Sequence, residues 1–361
     1  MGRGRWGSMA GWLTVGLRHE FVVELLRNST PSRGAARPHC NSTPSRGATR
    51  PHYSATLRFA RVTVLLLDGY YATILRLGGS TMRYAICNET FVDWPFDRAF
   101  AVARACGYTG IEFAPFTINA DATAISATRR REIREQLAAA GMEAVGLHWL
   151  LAKTQGYYLT SPDPLVRGRT SAYLEELARL CADLGGTIMV LGSPQQRNLL
   201  PGVTHAAAMD YAADVLRTVC PTLEQLGVTI AVEPLGPQEG DFLRTAASGV
   251  ELIGKVSSPQ VQLHLDVKAM SSEPFAVADT IRRFAPWMVH FHANDPNRRG
   301  PGMGEVDFVP IFKALHDVGY AGWVSVEVFE YEYPSGLEGL ANDSIAYMKR
   351  CDATLGWNLP K

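Results

Sequence analysis

From residue 82 onward, short apolar runs alternate with amphipathic stretches, and the alternation is repeated eight times. The apolar runs are RYAIC, GIEFA, EAVGLHWL, TIMVLG, TIAVEPL, VQLHLDV, WMVHFHA and WVSVEVF. Helical patterns such as REIREQLAAAGM and TSAYLEELARLCADLGG lie between them, and the second ends in the glycine pair expected past a helix C-terminus. Runs that are apolar throughout, each followed by a helix, predict a parallel sheet that is buried on both faces.

Eight strand–helix units within residues 82–361 predict an α/β fold, a (β/α)8 TIM barrel, for which about 250 residues is typical. A doubly wound open sheet is the alternative. It would place a glycine-rich phosphate loop after the first strand, where this chain has CNETFVDWPF, so the barrel is favoured. In such barrels the catalytic groups lie at the C-terminal ends of several strands.

Residues 1–81 differ in character from the rest of the chain. NSTPSRGAARPHC at 28–40 recurs as NSTPSRGATRPHY at 41–53, a tandem repeat with a period of 13 residues. Such sequence cannot bury a core and predicts disorder. The apolar run 62–75 contains Asp68 and is shorter than the roughly 18 residues of a membrane span, and it is a poor match to a cleavable signal. We expect the working protein to begin near Met82, with residues 1–81 an extension or a mis-assigned start.

The charge balance and the cysteines narrow the choice of partner and compartment. Lys+Arg and Asp+Glu both number 35, which argues against a general affinity for nucleic acid or a membrane surface. The six cysteines are scattered and form no C-x-x-C pair, as expected of reduced thiols in the cytoplasm. The predicted partner is a small molecule, and a homodimer or homotetramer is compatible with the chain.

Each of the last four apolar runs delivers a potential metal ligand near its end. In chain order these are Glu233, Asp266, His292 and Glu327. Unpaired buried carboxylates are unfavourable, and three of them at one barrel mouth would repel one another. One divalent cation would relieve both problems, and three carboxylates with one imidazole suit Mn²⁺, Mg²⁺, Co²⁺ or Zn²⁺. Any single acidic residue could instead cap a helix or pair with an arginine, so the prediction rests on the whole set.

The segments around these residues are VEPLG, HLDVKAMSSE, HFHANDPNRRGPGMGEVDF and VSVEVF, and the successive ligands are 33, 26 and 35 residues apart. In these motifs the chain from Met82 onward resembles the xylose-isomerase-like barrel superfamily of sugar isomerases and epimerases. It is similar in particular to D-tagatose and D-psicose 3-epimerases and to hydroxypyruvate-isomerase-like proteins.

The resemblance implies a role for each motif residue. The implied metal ligands are Glu233, Asp266, His292 and Glu327. Glu233 and Glu327 would also act as the catalytic acid and base. Arg298 falls where the family has a substrate-binding arginine, and Glu239 falls where it has an acidic residue that supports the site.

The implied chemistry is proton transfer next to a carbonyl. A divalent metal chelated by two vicinal oxygens of an α-hydroxy-ketone makes the adjacent C–H acidic, and a carboxylate removes the proton to give an enediolate. Return of the proton to the opposite face of the same carbon gives an epimer, and transfer to the neighbouring carbon gives an isomer. The sequence leaves open which outcome applies, which sugar or sugar phosphate reacts, and which metal is used.

Earlier strand ends supply further candidates for substrate binding. Glu112 ends the second strand, at a position that comparable family members often use to contact substrate. His148 and Trp149 end the third strand, and Trp149 could stack on a sugar, although a lone tryptophan is as often a core residue. Arg197 follows the fourth strand, and its guanidinium matches phosphate or carboxylate.

One position departs from the family pattern. Many 3-epimerases carry a substrate-binding histidine three residues past the strand-six aspartate, where this chain has Ala269. Lys268 is a candidate replacement donor. Three alternative functions are an inosose-dehydratase-type lyase, a non-catalytic metal- or sugar-binding barrel, and an apurinic endonuclease. The endonuclease is disfavoured because those barrels use three zinc ions and many histidines, and this domain lacks the histidine after Asp266.

Overall fold

The computed structural model describes residues 82–356, and within them eight strands close into a barrel in sequence order. All neighbouring strands are parallel, and β8 pairs with β1 to complete the ring. The strands are β1 Arg83–Cys87, β2 Gly110–Phe113, β3 Glu143–Leu147, β4 Ile188–Leu191, β5 Thr229–Val232, β6 Val261–Asp266, β7 Met288–Ala293 and β8 Trp323–Val326. The predicted TIM barrel is confirmed. The predicted extension, residues 1–81, lies outside the described residues.

At least one α-helix follows each strand. The helices are α1 Phe96–Cys106, α2 Ala127–Ala139, α3 Pro164–Leu184, α4 His205–Leu226, α5 Ala246–Val256, α6 Val267–Met270, α7 Val277–Phe284, α8 Phe308–Asp317 and α9 Gly336–Thr354. Between β6 and β7 the chain forms both the short α6 and α7. Among residues 82–356, no helix is both long enough and apolar enough to cross a bilayer.

Helix α3 illustrates how local sequence sets these boundaries. The side chain of Asp163 accepts a hydrogen bond from a first-turn backbone N–H, and Pro164 occupies the first helical position, where no N–H is needed. The helix ends at Gly185, whose φ of 93° lies in the left-handed region that favours glycine. The predicted stop at the glycine pair is therefore confirmed.

The strand register places polar side chains next to one another on β6, β7 and β8. Asp266 pairs with His292, and His292 pairs with Ser325. His264 lies opposite His290 two residues earlier, and side chains two residues apart on a strand share a face. All five residues are buried. The ionisable groups are therefore concentrated toward the carboxyl ends of these strands, where the site was predicted.

Candidate active site

Three of the four predicted metal ligands meet at the carboxyl ends of β5, β6 and β7. Potential ligand atoms of Glu233, Asp266 and His292, together with one from His264, all lie within 4.8 Å of one another. All four side chains are buried, and the most exposed of them, Glu233, is only 6% exposed. These donors are close enough to share one ion.

The fourth predicted ligand, Glu327, directly follows β8 and contacts this cluster through His292. Its Oε2 is 3.2 Å from Nδ1 of His292, and its Oε1 accepts a 2.7 Å hydrogen bond from the indole N–H of Trp149. Glu327 is itself buried. It therefore borders the cluster, and the imidazole of His264, which was not among the predicted ligands, lies with the other three.

Hydrogen bonds fix the orientation of two of the ligands. Nε2 of His292 is 3.1 Å from Oε1 of Glu112, and the other oxygen of Glu112 is 2.7 Å from Nε2 of His290. Because Nε2 of His292 faces Glu112, Nδ1 is the nitrogen available to an ion, an arrangement common around metal-binding histidines. Asp266 accepts a 2.6 Å hydrogen bond from the side-chain amide of Asn294.

Two residues that follow β4 hold Glu233 in position. A Cβ at Gly192 would overlap Oε2 of Glu233, so the absence of a side chain there makes room for the carboxylate. Arg197 donates hydrogen bonds to the backbone carbonyls of Leu191 at 2.9 Å and of Glu233 at 2.6 Å. Its guanidinium is buried, and this burial lowers the pKa of Arg197 to about 10. The structure therefore favours a supporting role for Arg197 over the predicted contact with a substrate anion.

The carboxylates of the cluster have strongly perturbed pKa values. Burial raises the pKa of Glu233 well above its usual range, and the charges of Glu327 and Asp266 raise it further. Burial also raises the pKa of Asp266. For Glu327 burial acts in the same direction, but the charge and hydrogen bond of His292 together with the charges of His148 and Lys268 lower the pKa. Neither ring nitrogen of His264 has a hydrogen-bond partner among the described residues. Crowded buried oxygens beside an unpartnered imidazole fit a divalent cation.

A cavity of about 380 Å³ reaches the cluster from the barrel mouth. Four of the predicted substrate contacts line it, namely Trp149, Glu239, Lys268 and Arg298, together with Glu233 and Glu327. The ammonium of Lys268 is 2.6 Å from Oε1 of Glu239. The guanidinium of Arg298 is half exposed and contacts Glu330 at 3.2 Å. Cationic and anionic groups thus surround the space above the ligand cluster.

Two further predicted substrate contacts, Glu112 and His148, are completely buried. Both oxygens of Glu112 contact histidines, as described above, and Nε2 of His148 is 2.8 Å from Oε2 of Glu89. Neither residue lines the 380 Å³ cavity. Their positions favour support of the site over direct contact with substrate.

His264, Glu89 and Phe329 belong to the site, although none of them was predicted. His264 lies two residues before Asp266 on one strand, so the period of two could have placed both on the same face. Phe329 lies two residues past Glu327 and lines the same cavity. Glu89 occurs in the polar stretch NET directly after β1, which was used only to exclude a phosphate loop.

The fold and the site define a class: a (β/α)8 barrel whose carboxyl-terminal mouth carries carboxylates and histidines suited to a divalent cation. The family model described as xylose isomerase-like TIM barrel matches residues 100–351. The chain belongs to this family, which confirms the resemblance predicted from the motifs.

The proteins to which this chain is similar include D-psicose 3-epimerases. The D-psicose 3-epimerase of Agrobacterium fabrum is 30% identical over 231 residues, which cover 62% of this chain and 75% of that protein. The D-psicose 3-epimerase of Ruminiclostridium cellulolyticum is 28% identical over 173 residues, which cover 47% of this chain and 59% of that protein. A solved structure of D-psicose 3-epimerase with D-tagatose from Clostridium cellulolyticum H10 has a TM-score of 0.66 at 20% identity, over 75% of this chain and 99% of that one. At that identity the structural likeness shows the fold alone.

Proposed function

We propose that this protein is a divalent-cation-dependent sugar isomerase or epimerase that moves a proton at a carbon next to a carbonyl. The observation that carries the proposal is the buried cluster of Glu233, Asp266 and His292, with Glu327 beside it, at the end of a cavity of suitable size for a sugar. The relatives that are named as D-psicose 3-epimerases support the same class. The proposed substrate is a sugar or sugar phosphate, and the scattered cysteines support a cytoplasmic location.

The proposed cofactor is one Mn²⁺, Mg²⁺, Co²⁺ or Zn²⁺ ion. The residues that would hold it are Glu233, Asp266, His292 and Glu327. A bound divalent cation polarises a substrate carbonyl and makes the adjacent C–H more acidic. The three carboxylates would also lose the mutual repulsion that they experience in this buried cluster.

Glu233 and Glu327 are the proposed proton carriers. They border one cavity from β5 and β8, which are three places apart in the ring, so their carboxylates approach the substrate from different directions. One carboxylate would remove the proton, and the other would return one to the opposite face or to the neighbouring carbon. Trp149 donates a hydrogen bond to Oε1 of Glu327 and thereby limits the rotation of that carboxylate.

The outer part of the cavity is the proposed site of substrate recognition. Arg298, Lys268 and Glu239 present charged hydrogen-bonding groups there, which can bind sugar hydroxyls or a phosphate. Trp149 and Phe329 supply aromatic faces on the same wall. Lys268 is the proposed replacement for the histidine that Ala269 cannot supply.

Deuterium exchange tests the proposal directly. Metal-loaded protein would be incubated in D2O with a panel of ketoses and keto-inositols, and NMR would locate any deuterium. The proposal predicts exchange at a carbon next to the carbonyl, with an epimer or isomer as the product. A product lighter by one water would instead indicate a lyase. No exchange with any α-hydroxy-carbonyl compound would contradict the proposal and favour the alternative of a non-catalytic metal- or sugar-binding barrel.

A further inference from the structure

A second cavity adjoins the one that contains the proposed catalytic residues. Its volume is about 610 Å³, and its lining residues follow β1, β2 and β3, with Arg298 following β7 and Phe329 and Tyr331 following β8. The two cavities share four lining residues, Trp149, Lys153, Arg298 and Phe329, and are therefore neighbours. We call the first the reaction chamber and the second the aromatic chamber.

The partition between the chambers is thin. The rings of Trp149 and Phe329 stack at 5.7 Å with an angle of 24° between their planes. Trp149 has a φ of 52°, a left-handed conformation that is unfavourable for a bulky side chain and tends to persist at functional sites. Because its indole also contacts Glu327, a single side chain separates a proposed proton carrier from the aromatic chamber.

The aromatic chamber combines flat apolar walls with a buried acceptor. Its walls include Trp94, Phe116 and Tyr331. Glu89 also lines it and is 4% exposed. Its Oε2 is 2.8 Å from Nε2 of His148, and neither of its oxygens has a hydrogen-bond partner among residues 82–356. Aromatic faces pack against the C–H face of a sugar ring, and a carboxylate accepts hydrogen bonds from hydroxyl groups. A wall that combines aromatic faces with a carboxylate suits a pyranose ring better than a wholly apolar group.

The volumes of the two chambers also favour a sugar as the ligand of the aromatic chamber. Ligand cavities measure about 300–1,000 Å³, so the reaction chamber can hold a single ketose on its own. The aromatic chamber therefore provides room for a second unit of at least similar size. We infer that it binds a second sugar ring, and that the preferred substrate is a keto sugar bearing a glycosidically linked ring rather than a free ketose. The inference rests on the proposed function.

The test compares substrates that differ only by the second ring. Deuterium exchange catalysed by the metal-loaded full chain would be measured with D-fructose and with fructose carrying a hexose on O4 or O6 (lactulose and isomaltulose). We expect kcat/KM for at least one disaccharide to exceed that for D-fructose about tenfold, since stacking on an aromatic wall is worth up to this factor. Equal or faster exchange of D-fructose than of both disaccharides would overturn the inference and leave the proposed function intact.

Variants of the chamber wall assign the preference to this cavity. Trp94→Ala should abolish the disaccharide preference while D-fructose exchange stays within about twofold, because Trp94 lines only the aromatic chamber of the two. Phe116→Leu tests the same wall if Trp94→Ala does not fold. An undiminished preference in a folded variant would contradict the inference. No exchange with any of these sugars or with the wider ketose panel would overturn the proposed function and this inference with it.

Discussion

The two sides of the barrel mouth differ in how their buried ionisable groups are arranged. At the ends of β5 to β7, Glu233, Asp266 and His292 are crowded together, and burial raises the pKa of both carboxylates. At the ends of β1 and β3, Glu89 and His148 form a close pair. The carboxylate of Glu89 has an oppositely charged neighbour in His148, whose pKa is raised by the charge of Glu89, whereas crowded carboxylates require an added counter-charge. We therefore assign the chemistry to the first side and the accommodation of a larger substrate to the second.

The largest effect is expected when a proton carrier is removed from the side of the mouth formed by the ends of β5 to β8, which we call the β5–β8 side. Glu233→Gln or Glu327→Gln should lower the deuterium exchange rate about 10²–10⁴-fold, the usual contribution of a positioned acid or base. Glu251→Gln, at an exposed glutamate on α5, is the matched control and should exchange at the wild-type rate. If both active-site variants matched that control, the assignment of chemistry to this side would be wrong.

A smaller loss is expected from filling the space beside Glu233. Gly192→Ala places a methyl group where Oε2 of Glu233 lies, and a displacement of about 1 Å can cost about 10²-fold in rate. Gly254→Ala is the control, because a Cβ added there meets no atom within 4 Å apart from its chain neighbours and the backbone of its own helix. Steady-state kinetics should show a fall in kcat for the first variant alone. Wild-type kcat for Gly192→Ala would mean that the position of Glu233 is not critical.

Glu112 connects the two sides of the mouth, because it lies on β2 and contacts His292 on β7. Glu112→Gln should weaken Mn²⁺ binding about 10–100-fold by disturbing the orientation of His292. Glu89→Gln alters the buried carboxylate of the other side and should leave Mn²⁺ affinity within about twofold. Calorimetric titration measures both affinities. Equal weakening in the two variants would remove the distinction between the sides.

The smallest effects are expected for Arg298 and Arg197, and the two substitutions should change different properties. Arg298→Ala should raise KM about tenfold with little change in Tm, since it removes a charged donor from the half-exposed cavity rim. Arg197→Met should lower the free energy of unfolding by about 1–3 kcal/mol, because buried carbonyls lose their donor. Thermal unfolding and saturation kinetics distinguish them. The reverse pattern would make Arg197 the substrate contact that was first predicted.

The fold was predictable because the period of the apolar pattern is local information. β1 spans the run RYAIC itself. The third run, EAVGLHWL, predicted a longer strand than the structure contains, since β3 ends at Leu147. The strand is shorter because the chain turns near Trp149, where φ is 52°. A turn of this kind at a tryptophan has no signal in a pattern of apolar residues.

The site was predictable only in part, because strand ends identify positions but not side-chain directions. Glu233, Asp266 and His292 converge as their strand positions implied. Glu112 was predicted to contact substrate, and its contact with His292 could not be predicted because that residue is 180 residues away in the sequence and meets it only in the closed barrel. Arg197 bends back onto backbone carbonyls, which residue type alone does not reveal.

The central claim is that one cation is shared by ligands from successive strands of the β5–β8 side. Calorimetric titration of the chelator-treated full chain with Mn²⁺ tests it most directly, alongside Asp266→Asn and His292→Gln. We predict one Mn²⁺ per chain in the wild type and a loss of affinity of at least about tenfold in each variant. No saturable binding, or binding that both substitutions leave unchanged, would contradict the claim.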